Sequence, residues 1–186
     1  MNIANKLTLL RIILVFVFMG VIWAPIFPLE LSLWIALALF IVASFTDFLD
    51  GYLARKLDLV TNLGKFMDPL ADKMLVAAAM IAIVDKGPLL PAGLLPAWIV
   101  VLILLREFMV SGIRLVAAAE NKVIAANYLG KVKTVLQMLM IIVYLIPIDS
   151  AVIRLSSISL AYLALLLTVI SGVEYVWQNR HILKNA

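Results

Sequence analysis

The chain has no cysteine and one histidine, and only 14% of its 186 residues are charged. The missing thiols exclude disulfides, thiolate nucleophiles and cysteine metal sites. The scarcity of charge excludes an ordinary soluble fold, in which about a quarter of residues are charged and about half are apolar. Here 66% are apolar and mean hydropathy is strongly positive. The lone histidine, His181, lies in a polar C-terminal tail and reads as a surface residue. No linker, repeat or low-complexity segment interrupts the chain, so residues 1–186 read as one domain.

What is present is a series of long apolar runs. Six are expected to be membrane-spanning helices, near Thr8–Phe27, Leu31–Leu53, Lys65–Val84, Pro96–Ala119, Val132–Ile146 and Val152–Val176. Lipid cannot satisfy an open backbone, so runs of this length and composition form helices. The first has no small-residue cleavage pattern behind it and fits a retained span. The fold class is therefore all-α, a polytopic membrane protein with six transmembrane helices. Lys6, Arg11, Arg55, Lys56, Lys65, Lys122, Lys131, Lys133, Arg180 and Lys184 fall toward one side, against Lys86 and Arg154 on the other. The positive-inside rule makes the first side cytoplasmic and puts both termini there. Trp23, Trp34, Trp98 and Trp177 fall near span ends, as interfacial anchors do. The basic tail from Arg180 suits anionic headgroups rather than nucleic acid.

Four carboxylates stand out against this background: Asp47, Asp50, Asp68 and Asp72. The first two are three residues apart and the last two four apart, so each pair shares a helix face. Both pairs sit toward the cytoplasmic ends of adjacent spans, and a helical hairpin would bring them together. Like charges so close raise one another's pKa unless compensated. Two divalent cations supply that compensation, and an all-oxygen donor set suits Mg²⁺, Mn²⁺ or Ca²⁺. A metal pair about 3.5–4 Å apart suits phosphoryl displacement. Gly51 and Ala54 leave room for a ligand on the same turns, Gly64 can bend the chain, and Arg55 offers a cation for a phosphate. Solvated loop charges or helix-capping aspartates are the plain alternative, which four carboxylates in this spacing disfavour.

Written out, these residues give D-x2-D-G-x2-A-R-x8-G-x3-D-x3-D from Asp47 to Asp72, with every fixed position filled. This resembles the signature of the CDP-alcohol phosphotransferases. The resemblance implies a six-helix membrane enzyme, generally a homodimer, that moves a substituted phosphate from a CDP-linked donor to an alcohol and releases CMP. It implies that Asp47, Asp50 and Asp68 bind metal, and that Asp72 both approaches the second metal and acts as general base. It places Gly51, Ala54, Arg55 and Thr61 around the cytidine diphosphate of the donor.

Two further patches bear on the acceptor. Arg106-Glu107-Phe108 lies inside the fourth run, with Arg114 about two turns on. Charges at that depth face a polar cavity, pair internally, or snorkel. Gly130-Lys131-Val132-Lys133-Thr134 opens the fifth run, either as topology-setting lysines or as a phosphate seat at a helix start. These patches, with Gln137 and the opening Asn2-Ile3-x-Asn5-x-Leu7-Thr8-x-x-Arg11, are similar to the phosphatidylglycerophosphate synthase branch of the family. Ala4 stands where that branch usually has proline. The resemblance implies transfer of the phosphatidyl group from CDP-diacylglycerol to glycerol 3-phosphate, with Arg106, Arg114, Lys131 and Lys133 as candidates for the acceptor phosphate. The alternatives are a relative using phosphatidylglycerol, inositol phosphate or serine, or, from another class, a divalent-cation transporter. The transporter would have no evident use for Gly51, Ala54, Arg55 and the basic patch.

Overall fold

The computed structural model describes residues 3–56, 62–119 and 128–180, with side chains at 3–7, 47–56, 62–70, 72 and 118–119 outside that description. Among the described residues there are six α-helices and no strand: α1 (Ile3–Trp23), α2 (Leu29–Lys56), α3 (Asn62–Lys86), α4 (Ala97–Ala119), α5 (Tyr128–Leu145) and α6 (Ala151–Gln178). The segments Leu29–Thr46, Tyr128–Leu145 and Ala151–Gln178 are long and apolar enough to cross a membrane, and Thr8–Trp23 is a shorter apolar helix. The apolar run of α4 is broken by Arg106, Glu107 and Arg114. The chain is an all-α membrane protein.

The helices match the six expected runs, with shifted ends. α1 starts near the N-terminus and stops at Trp23, four residues short of Phe27. Pro25 and Pro28 follow closely, and a proline has no N–H with which to continue the ladder. α6 begins where Ser150 caps it, its hydroxyl accepting from the Val152 N–H at 3.3 Å. α5 already runs from Tyr128, four residues before the expected start at Val132. Lys133 therefore lies beyond the first turn, where N–H groups are no longer free.

One end of the bundle is tied by polar contacts between helix ends and loops. Trp23 Nε1 donates to Asp85 Oδ2 at 2.8 Å, joining the ends of α1 and α3. A 3₁₀ turn at Gly87–Leu89 follows, and Gly93 adopts φ +88°, a left-handed turn that suits glycine. Arg154 Nε reaches the Pro91 carbonyl at 3.2 Å, and the buried Ser157 hydroxyl reaches that of Ala92 at 2.8 Å. The loop before α4 is thereby fixed to α6.

Apolar association is not driven by water inside a bilayer, so close packing and interhelical hydrogen bonds hold such helices together. Small buried residues, among them Ala36, Ala43, Ala79, Ala161 and Ala164, let the helices approach. Phe18, Phe40, Leu75, Met80, Ile103, Met140 and Tyr144 fill the space between them. α1 packs on α2 and α3, α5 on α6, α4 on α6 and α3, and α3 on α5. The outer surface keeps Phe16, Phe45, Leu105, Val152 and Val173 exposed, as a lipid-facing surface does.

Candidate active site

α2 and α3 pack against each other and are separated in sequence by only 57–61. Asp47 and Asp50 lie on the last turns of α2, and Asp68 and Asp72 on the early turns of α3. The helical backbone therefore keeps the i, i+3 and i, i+4 spacings and sets both pairs at the same end of adjoining helices. An all-oxygen donor set so arranged fits hard divalent cations. The side chains of these four aspartates, and of Ala54 and Arg55 on α2, lie outside the described residues, as does Thr61 altogether, and of Gly51 the helical backbone alone is described.

The acceptor candidates divide into two groups. Arg106 and Lys133 come together inside the bundle, through Glu107. Lys133 Nζ on α5 donates to Glu107 Oε1 on α4, and Arg106 Nη1 donates to the same oxygen at 3.3 Å. The Arg106–Glu107 pairing weighed from sequence is thus present, and the same carboxylate oxygen also receives Lys133. Arg106 Nη2 also donates to Ser171 Oγ on α6 at 3.1 Å. Arg106 Nε is buried and has no hydrogen-bond partner among the described residues. Buried donors are ordinarily satisfied, so an N–H left over in a cationic cluster fits an anionic ligand.

Arg114 and Lys131 are placed differently. Arg114 Nε donates to the Tyr175 hydroxyl on α6 at 3.3 Å, and its guanidinium lies 5.6 Å from the centre of that ring. These contacts fasten α4 to α6. Lys131 is exposed at the start of α5. Thr134, whose hydroxyl belonged to the expected seat, donates back to the Gly130 carbonyl at 3.0 Å. The polar contacts here join side chains on α4, α5 and α6 and do not use the start of α5.

Lys73, Ser111 and Thr168 in this region carried no expectation from sequence. Lys73, next to Asp72, donates to the Glu107 carbonyl at 3.2 Å and to the Ser111 hydroxyl. It lines a cavity of about 40 Å³ between α3, α4 and α5 with Val76, Glu107, Lys133, Thr134 and Gln137, room for a few waters on a scale of about 10–15 Å³ each. Gln137 Nε2 donates to Thr168 Oγ1 at 3.2 Å, joining α5 to α6 one turn before Ser171. Arg11, read from sequence as a topology-setting charge and as the end of the opening motif but given no site role, is fully buried on α1, the helix packed on both aspartate-bearing helices. Its depth in a polar i, i+3 pair with the buried Thr8 was the available signal.

A family model for CDP-alcohol phosphatidyltransferase matches residues 1–172. A Bacillus subtilis protein named CDP-diacylglycerol–glycerol-3-phosphate 3-phosphatidyltransferase is 42% identical over 197 residues, covering all of this chain and 98% of the relative. A Rickettsia felis protein of the same name is 37% identical over 177 residues, covering 94% of this chain and 93% of the relative. A Mycobacterium tuberculosis protein named "Probable phosphatidylglycerophosphate synthase" is 39% identical over 175 residues, covering 94% and 80%. With a family match across most of its length and relatives matched nearly end to end, the chain belongs to the CDP-alcohol phosphatidyltransferase family.

Proposed function

We propose that this chain transfers the phosphatidyl group of CDP-diacylglycerol to glycerol 3-phosphate, giving phosphatidylglycerol phosphate and CMP. Residues 1–186 act as one membrane domain, which we place in the cell membrane as a homodimer with its active site facing the cytoplasm. The reaction class is supported by the family and by the activity named for its full-length relatives. The acceptor is supported by one observation above others: Arg106 and Lys133 converge inside the bundle on a single carboxylate. Glycerol 3-phosphate brings a dianionic phosphate, which such a cluster suits and which serine lacks.

Asp47, Asp50, Asp68 and Asp72 are the residues that would hold two divalent cations, Mg²⁺ or Mn²⁺, whose charge would neutralise phosphoryl oxygens. Asp72 takes the proton from the 1-hydroxyl of glycerol 3-phosphate. The alkoxide oxygen attacks the phosphorus that bears the diacylglycerol. The bond from that phosphorus to the bridging oxygen breaks, and CMP leaves with the electron pair. Gly51, Ala54, Arg55 and Thr61 hold the cytidine diphosphate. Arg106 and Lys133 hold the acceptor phosphate by charge-assisted hydrogen bonds, with Lys131 and Arg114 further from it.

The test offers purified protein CDP-diacylglycerol with a panel of alcohols and measures CMP and the lipid product. CMP release that depends on glycerol 3-phosphate, with phosphatidylglycerol phosphate formed, is the expected result. Release with a different alcohol, and none with glycerol 3-phosphate, would overturn the acceptor assignment and leave the family chemistry standing.

A further inference from the structure

Two neighbouring residues of α6 are fitted to Arg106. The fully buried Ser171 hydroxyl accepts from Nη2 at 3.1 Å. At Gly172 an added Cβ would stand 2.8 Å from Arg106 Cγ and 3.5 Å from Nε. Carbon atoms pack best about 3.5–4.0 Å apart, so the arginine stem occupies the space a side chain at 172 would take. The same arginine is only 8% exposed and keeps a buried Nε without a hydrogen-bond partner among the described residues. Its stem is thus bedded on bare backbone, one nitrogen is fixed by a hydroxyl, and one donor is left for something else. Ordinary helix packing accounts for a small residue at 172. The Ser171 hydroxyl also donates to the Thr168 carbonyl of its own helix at 3.2 Å, which leaves its oxygen to accept from Nη2, and packing does not account for the uncommitted donor between α4 and α6.

We propose that Ser171 and Gly172 are positioning residues that aim the Arg106 guanidinium at the phosphate of the acceptor alcohol. α6 thereby takes part in acceptor selection without touching the acceptor. The inference rests on the acceptor reading given above. A guanidinium recognises phosphate through a rigid planar fork, so its orientation matters as much as its charge. Rotating it by displacing the stem leaves the charge in place and degrades the hydrogen bonds.

The experiment is steady-state kinetics on the full-length enzyme in detergent, each substrate varied in turn. Gly172→Ala and Ser171→Ala are each made in the parent and in an Arg106→Ala background. In the parent, both should raise the acceptor KM about threefold to tenfold, the scale of one weakened hydrogen bond, and leave the donor KM unmoved. In the Arg106→Ala background, Gly172→Ala should add nothing, because no stem remains for the new Cβ to meet. Equal effects of Gly172→Ala in both backgrounds would overturn the proposal, as would a matching rise in the donor KM, which would assign the guanidinium to the donor diphosphate. If Gly172→Ala does not fold in the parent, folding in the Arg106→Ala background supports the fitted contact and failure in both refutes it. Ser171→Ala then carries the kinetic arm. Should the parent prefer another phosphorylated alcohol, glycerol 3-phosphate is the wrong acceptor, and the same variants assayed with that alcohol still decide the role of α6.

Discussion

Lys133 on α5 donates a hydrogen bond to Glu107 on α4, and only 4% and 15% of the two side chains are exposed. The same carboxylate oxygen takes Arg106 Nη1. Two cations therefore meet on one carboxylate oxygen inside an apolar bundle. Buried charges of this kind are costly in an apolar bundle unless they are paired.

Removing the shared carboxylate should be more damaging than removing either cation. Glu107→Ala leaves Arg106 and Lys133 buried side by side, and breaking a buried ion pair costs about 3–5 kcal/mol. Lys133→Ala leaves Glu107 still paired with Arg106 and should cost less. Unfolding in detergent of both variants and their double mutant checks this. An interaction energy near zero in that cycle would refute the coupling.

Kinetics should separate the four basic residues. Arg106→Ala and Lys133→Ala are expected to raise the acceptor KM roughly tenfold to a hundredfold, as loss of a charge-assisted contact does. Lys131→Ala should have a smaller effect, because Lys131 is exposed. Arg114→Ala should act mainly on stability, because it removes the contact with Tyr175. An unchanged acceptor KM in all four variants would move the phosphate seat elsewhere.

Activity is expected to vanish in excess chelator and to return with Mg²⁺ or Mn²⁺. Asn at Asp47, Asp50 or Asp68 should weaken metal binding, read by calorimetry on the purified protein, together with turnover. Full turnover in excess chelator would rule out the four-aspartate site.

Asp72→Asn should lower turnover by about 10²–10⁴-fold, the usual contribution of general-base catalysis, with donor binding largely retained. An Asp72→Asn enzyme within a few-fold of the parent would assign the proton to another group.

The six helices were legible because lipid permits few alternatives for a long apolar run, and the aspartate signature was legible because its parts lie within 26 residues on one hairpin. The starts of α1 and α5 were displaced because the polar residues before Thr8 and Val132 were read as boundaries. Lys133 sits inside its helix because Glu107 on another helix receives it. No spacing rule links 73, 107, 133 and 171, which four helices bring together. Ser171 and Gly172 resemble the small residues that any membrane helix uses for packing, and only the position of Arg106 distinguishes them.

The charges of α4 also bear on how the protein is made. Arg106 and Glu107 lie about ten residues into the helix, and translocon measurements put such charges at about 2.5–3.5 kcal/mol each near the middle of a membrane helix. Their companions Lys133 and Ser171 belong to α5 and α6, which leave the ribosome later. α4 emerges from the ribosome before those companions exist, so its secure lodging in the bilayer depends on the C-terminal third of the chain. A nascent chain stopped after α4 would hold this helix poorly, and biogenesis, not only catalysis, is written into the same few polar contacts.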